Sequence, residues 1–259
     1  VSSHDSIGKI IRVAFALCIV CSVVVSTAAV MLKPAQEANK DLDRKRNILA
    51  AAGMLEDGKS VEELFAAITP RYVDLRSGRF AEEVPAGYEQ RDAAKDAALS
   101  TDLGDADIAK IGRRAHYAEV YLVGAGEGEG GSAWDKVILP VHGYGLWSTL
   151  YGFVALESDA NTIAGLGFYE HGETPGLGGE VDNPRWKAQW PGKQAYRDGD
   201  VEIALLKGAV DRASADAKWR VDGLSGATLT SRGVTNLMQF WLGENGFGPF
   251  IDNLKAGKA

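Results

Sequence analysis

Residues 13–32, VAFALCIVCSVVVSTAAVML, are 20 consecutive positions without a charge or a proline. As a helix rising 1.5 Å per residue, the run would span roughly 30 Å, the thickness of a bilayer's hydrocarbon core. A cleaved signal peptide is the rival reading, because Lys9 and Arg12 form a short basic flank ahead of it. The apolar stretch is too long for that, and no turn-breaking residue precedes an A-x-A-like cleavage site. The run therefore reads as an uncleaved transmembrane anchor, residues 1–12 forming a short N-terminal tail. Its orientation is open on charge alone. Lys9 and Arg12 lie on one side; Lys33, Lys40, Arg44, Lys45 and Arg46 lie on the other. Counted directly, these would keep the body in the cytoplasm, but long domains escape the positive-inside rule.

Charge divides the chain at about the same place. Residues 1–53 carry seven basic and four acidic side chains, a balance of +3, so a net charge of −7 leaves −10 for the remainder. An acidic body without a basic stripe is a poor partner for nucleic acid, which needs clustered Lys and Arg. The two cysteines, Cys18 and Cys21, both lie in the apolar run. A redox pair needs thiolates near water at a helix terminus. Small residues packing against neighbouring helices are the plainer reading there.

Beyond the anchor, residues 35–52 read as a charged helix continuing from it and ended by Gly53. Ser60-x-x-Glu63 forms a capping box for a short helix stopped before Pro70. Residues 33–70 are thus a charged helical connector. From 71 to 112 the chain is polar and acidic, with little alternation, and reads as an irregular insertion with a helical turn or two. The pattern changes at His116. HYAEVYLV, DKVILPVHG, STLYGFVALES and NTIAGLGFYEH are β-branched and aromatic runs split by Gly, Asp and Asn, which predicts strands of a mainly antiparallel sheet. DVEIALLKG reads as another. After Thr228, the residues Leu229, Val234, Leu237, Met238 and Trp241 fall at helical spacing, with Gly243 or Gly246 to end the helix. The expected fold class is α+β: one N-terminal transmembrane helix, then a soluble mixed domain with a mainly antiparallel sheet and flanking helices, residues 113–259 forming its ligand-binding part.

Several motifs fail in context. Gly126-x-Gly128-x-x-Gly131 fits the dinucleotide pattern but precedes a strand instead of a helix, and Glu127 and Glu129 would repel a pyrophosphate. Gly223-x-Ser225 suggests a hydrolase nucleophile elbow, yet Ala227 stands where that motif wants glycine, and no histidine follows His171. His116, His142 and His171 lack zinc spacing and read as ordinary sheet histidines.

Two stretches say more. In HGETPGLGGE, residues 171–180, Thr174-Pro175-Gly176 suits a type II turn, and Gly178 and Gly179 leave bare backbone that a flat ligand could approach. GYGLWSTLYG places Trp147 close to glycines in a similar way. In DGLSGATLTSRG, residues 222–233, the hydroxyls of Ser225, Thr228, Thr230 and Ser231 exceed what one helix start requires. Thr230 or Ser231 alone could cap it. The small residues Ser225-Gly226-Ala227-Thr228 would let an anionic group, a phosphate above all, settle on free N–H groups at a helix N-terminus. If that phosphate were joined to a hydroxyl, Thr228 opens the helix.

D-x-x-S-G-A-T, present as Asp222 to Thr228, resembles the flavinylation motif of the flavin-binding domain family, and E-T-P-G-L-G, Glu173 to Gly178, resembles its second signature. With the N-terminal anchor and charged helix, the resemblance covers most of the chain. Within the family it extends to flavin subunits of two ion-translocating complexes, a Na⁺-pumping NADH:quinone reductase and a ferredoxin:NAD⁺ reductase. The long 71–112 stretch and the opening SHDSIGKI favour the first. The resemblance implies that Thr228 carries FMN through a phosphoester placed by a dedicated flavin transferase, which would read Asp222. It implies that Ser225, Gly226, Ala227, Leu229 and Thr230 line the phosphate. Glu173, Thr174, Gly176, Leu177 and Gly178 would lie against the isoalloxazine, with Trp147 touching it from another strand. It implies a single-pass protein of the bacterial inner membrane with its N-terminus in the cytoplasm and its flavin domain in the periplasm, working beside the other membrane subunits of a redox-driven sodium pump. NADH oxidation and quinone reduction would then belong to those subunits. A membrane-anchored sensor holding a free ligand, and a hydrolase acting through Ser225, are the competing classes.

Overall fold

The computed structural model describes residues 6–124 and 134–259. The Gly126–Gly131 dinucleotide-like motif lies outside the described residues. The chain divides into two compact units, Val1–Arg44 and Lys45–Ala259.

The first unit is helical. Helix α1 (Ile7–Ala51) runs without interruption from the apolar stretch into the charged one, passing Pro34 where the two meet. Its apolar window has a mean hydropathy of 2.6, and no residue of that window is covered by protein. Phe15, Val24 and Val25 all face outward. A helix apolar on every side and uncovered fits a membrane span by length and composition. Among the described residues it is the one helix long and apolar enough to cross a membrane.

The second unit begins in the last turns of α1, where Ile48, Leu49 and Ala51 are buried. Gly53 follows at φ +67°, the left-handed conformation that ends helices and that glycine adopts without strain. Helix α2 (Val61–Phe65) starts at the expected capping box: Glu63 N–H donates to Ser60 Oγ, and Ser60 N–H donates to Glu63 Oε2, each at 3.2 Å. Then come β1 (Ile68–Asp74), β2 (Arg79–Phe80), α3 (Gln90–Ala93), β3 (Ser100–Asp102), β4 (Arg113–Ala115) and β5 (Tyr117–Val123). The long strands β6 (Lys136–Tyr144), β7 (Thr149–Glu157) and β8 (Ile163–Glu170) follow. After α4 (Pro184–Lys187) come the short strands β9 (Tyr196–Arg197), β10 (Asp200–Val201), β11 (Ala204–Leu205) and β12 (Arg220–Val221). Helices α5 (Thr228–Leu242) and α6 (Gly248–Lys255) complete the chain.

The main sheet has the order β2-β1-β5-β6-β7-β8, and every neighbour pair in it is antiparallel. Both faces are covered. Val120, Leu122, Val137, Leu139, Val141 and Val154 join α5 and α6 in one buried cluster. Tyr121, Ile138, Phe153 and Ala155, alternating with them, join Ile48, Leu49 and Leu64 in a second. Alternation therefore places apolar residues on both sides, which is why the strands read as nearly continuous apolar runs. The end of α1 lies so close to β8 that a Cβ on Gly165 would collide with the Ala51 carbonyl oxygen.

Two expectations are corrected here. The 71–112 stretch holds the helical turns expected of it, at Gln90–Ala93 and Gly104–Ala106, but it does not begin as irregular chain. Its first residues belong to β1, which pairs with β5 over seven positions, from Ile68↔Val123 to Asp74↔Tyr117. The strand escaped the sequence pattern because only Ile68 and Val73 in it are buried and Pro70 interrupts it. Nor is DVEIALLKG a single strand: it splits into β10 and β11, and β11 pairs in parallel with β12, just before Asp222.

Candidate functional site

Three separate segments meet at the N-terminus of α5. They are the turn between β6 and β7 at residues 145–148, the loop at 171–178 after β8, and residues 222–231 leading into α5. Glu173 ties them together. Its Oε1 accepts the N–H groups of Leu146, Trp147 and Ser148 at 3.0, 2.9 and 3.3 Å. Its Oε2 accepts the Thr230 hydroxyl at 2.6 Å. The fit is close enough that a Cβ on Gly145 or on Gly178 would come within 2.6 Å of a Glu173 carboxylate oxygen. Burial pushes the Glu173 carboxyl up, but the bonds from Thr230 and the three backbone groups outweigh it and hold the group below its ordinary value.

The 171–178 loop is built as its residues dictate. Leu177 N–H donates to the Thr174 carbonyl at 3.1 Å across Pro175 and Gly176. Gly176 has φ +76°, as the third position of a type II turn requires. His171 anchors the start of the loop. Its Nδ1 accepts the Glu173 N–H at 3.2 Å, so the proton sits on Nε2, which donates to Asp182 at 2.8 Å. Gly172 N–H donates to Ser148 Oγ at 2.6 Å, a second tie to the β6–β7 turn. Leu177 then lies over the second loop, with Cδ2 3.0 Å from where a Cβ on Gly226 would stand.

The four hydroxyls of residues 222–233 divide into two pairs. Thr230 is fully buried and spends its proton on Glu173. Ser231 is buried too; its Oγ accepts the Leu224 N–H at 2.9 Å and donates to the Ala227 carbonyl at 3.1 Å. Neither caps α5: the N-cap residue is Ala227, with no side-chain cap bond. Ser225 and Thr228 are exposed, and Thr228 is the first residue of the helix. The first i→i−4 bond there runs from Ser231 N–H to the Ala227 carbonyl. The N–H groups of Thr228, Leu229 and Thr230 precede it, have no acceptor within the helix, and carry the positive end of its dipole. Around this terminus Trp147, Leu177 and Leu229 are 67%, 44% and 51% exposed, an apolar rim beside bare backbone.

The structure thus brings together Trp147, Glu173, Thr174, Gly176, Leu177 and Gly178 with Ser225 through Thr230. Asp222 stands apart. Its Oδ1 accepts the Val210 N–H at 2.7 Å, its carbonyl accepts Trp186 Nε1 at 2.9 Å, and its N–H donates to Gln189. It fastens the 204–211 segment beside the motif. Residues 145, 146, 148 and 171 were not singled out from sequence as parts of the site. Leu146 acts through its backbone N–H, which any residue would supply, whereas Ser148 adds its Oγ, the acceptor of the Gly172 N–H. Ser225 makes no hydrogen bond to a histidine among the described residues, which weakens the hydrolase reading. His142 lies in β6 as expected, stacked on Tyr151, and is kept neutral by burial.

This arrangement suits FMN. Unpaired N–H groups and small residues fit its phosphate, and exposed apolar side chains flank a surface that a flat ring can approach. Comparison with known proteins agrees. Residues 145–243 match the family described as FMN-binding domain. The chain is 54% identical to the C subunit of the Na(+)-translocating NADH-quinone reductase of Pseudomonas aeruginosa, with 100% of both chains covered. It is 50% identical to the corresponding C subunit of Yersinia pestis, over 98% of this chain and 96% of that one. The crystal structure of Shewanella oneidensis NqrC superposes with a TM-score of 0.75 at 38% identity, covering 85% of this chain and 99% of that one. Fold, site and full-length identity coincide: the chain belongs to the family of Na(+)-translocating NADH-quinone reductase C subunits.

Proposed function

We propose that this chain is the membrane-anchored electron carrier of a Na⁺-translocating NADH:quinone reductase, holding FMN by a phosphoester on Thr228 Oγ. The observation that carries the reading is the division of the hydroxyls. Thr230 and Ser231 are buried and bonded, whereas Thr228 is exposed at a helix terminus whose first N–H groups lie beside small residues. Bound FMN supplies the redox step, and the fold sets its position and potential.

The residues around it divide the work. The N–H groups of Thr228, Leu229 and Thr230 face the phosphate, with Ser225, Gly226 and Ala227 giving it room. Leu177 and Trp147 flank the ring, and the turn at Thr174–Leu177 presents bare backbone to it. Asp222 takes part when the flavin transferase attaches the group, by holding residues 204–211 clear of Thr228. The apolar part of α1 is the single membrane span, the acidic unit lies on the periplasmic side of the inner membrane, and NADH and quinone react on neighbouring subunits of the same pump.

Fluorescence of the denatured chain in a gel tests this, since only covalently held flavin survives there. Thr228→Val keeps the shape, removes the nucleophilic oxygen and abolishes the signal; Ser225→Ala weakens it. A fluorescent Thr228→Val band would overturn the assignment.

A further inference from the structure

Glu173 is 5% exposed, and every hydrogen bond described above to its carboxylate comes from an uncharged group: three backbone N–H groups and one hydroxyl. A buried carboxyl commonly keeps its charge through a cation or gives it up by taking a proton. Here the charge is kept by dipoles, whose bonds outweigh the cost of burial. A dipole shell stabilises the anion without cancelling its charge, and in a medium of low polarity that charge is felt over several ångströms. It lies among all three segments of the site.

We infer that Glu173 is a positioning residue with a second effect: it locks the 145–148 turn, the 173–178 loop and the first turn of α5 together, and its fixed negative charge lowers the reduction potential of the flavin held there. The inference rests on the FMN reading above. Each electron added to the ring brings negative charge towards the carboxylate, so reduction is disfavoured. The N–H groups at the start of α5 act in the opposite sense. The Thr230 hydroxyl, by donating to Glu173, screens part of its charge.

Two variants of the full-length chain, solubilised in detergent and loaded by the transferase, separate charge from shape. Glu173→Gln keeps an oxygen for the three N–H groups and can donate from its amide to Thr230 Oγ1, so the frame persists while the charge is gone. Its flavin midpoint potential shifts to more positive values. Thr230→Val keeps the charge and removes its screening donor, so the potential shifts to more negative values. A role confined to packing would move both variants in one direction or neither. An unchanged or more negative potential in Glu173→Gln overturns the inference. So does a more positive one in Thr230→Val, and this sign decides alone if Glu173→Gln does not fold. Melting of the unloaded chain tests the locking function without flavin. Glu173→Ala takes the acceptor from three half-buried N–H groups and melts below Glu173→Gln, and equal melting would overturn that half. A wild-type chain with no denaturation-resistant flavin would contradict the FMN attachment itself, leaving the melting comparison to judge Glu173.

Discussion

Leu177 Cδ2 stands 3.0 Å from where a side chain on Gly226 would begin, so the two loops of the site are packed on each other through a missing Cβ. Gly226 also has φ +72°. Gly226→Ala therefore meets two obstacles at once, a left-handed backbone costing about 1–2 kcal/mol for an L-residue and a side chain pressed on Leu177. The variant is expected to melt several degrees lower and to take up less covalent flavin. Gly167→Ala is the control: a Cβ there meets nothing within 4 Å, so both melting and loading stay near wild type.

Much of this site was legible because its parts are local. Pro175-Gly176 fixes a type II turn through the backbone preferences of those two residues, and the small run before Thr228 marks the start of α5. The strands β5 to β8 announced themselves by apolar content. What was not legible is the joining of segments distant in sequence. Nothing near Glu173 tells that its partner is a threonine 57 residues away, or that three backbone N–H groups from another turn complete its shell. The same limit hid β1, whose edge-side polarity and Pro70 make sense only beside β5. Asp222 shows the converse: a motif residue conspicuous in sequence spends its carboxylate on the Val210 N–H, fastening a neighbouring segment.

Acid stability provides a second prediction. Burial, reinforced by the nearby Arg91 charge, pushes His142 down to about 4 from an ordinary value near 6.5. Between those pH values the unfolded chain binds a proton that the folded chain refuses, so stability falls as pH drops through that window. Glu173 acts lower down. Its folded value lies below its ordinary one, so its contribution is complete above about pH 4.3 and is lost as pH falls through the folded value. Melting curves from pH 7 to pH 3 check both: relative to wild type, His142→Phe flattens the decline above about pH 4, and Glu173→Gln flattens the part below it.

The third prediction concerns orientation. With α1 as the single span and the flavin outside, a reporter fused after Ala259 is active only in the periplasm. Protease added to spheroplasts digests the acidic unit and spares the short N-terminal tail. Cytoplasmic reporter activity would show that Arg44, Lys45 and Arg46 set the topology through the positive-inside rule.

The fourth prediction separates a carrier from a catalyst. A dinucleotide cradle sets its pyrophosphate on the N-terminus of a helix that follows a strand in a parallel βαβ unit. Here the Gly126–Gly131 motif joins β5 to β6, antiparallel neighbours that pair at Val123 and Lys136, and it carries Glu127 and Glu129. Those carboxylates oppose a pyrophosphate by charge. The N-terminus of α5 is the place assigned to FMN. The full-length chain, loaded with flavin and purified from its partner subunits, is therefore expected to be bleached rapidly by dithionite and only very slowly by NADH. Stopped-flow absorbance of the flavin measures both. Rapid reduction that saturates with NADH concentration would mean that this chain binds the dinucleotide itself, making it a dehydrogenase and not a relay between subunits.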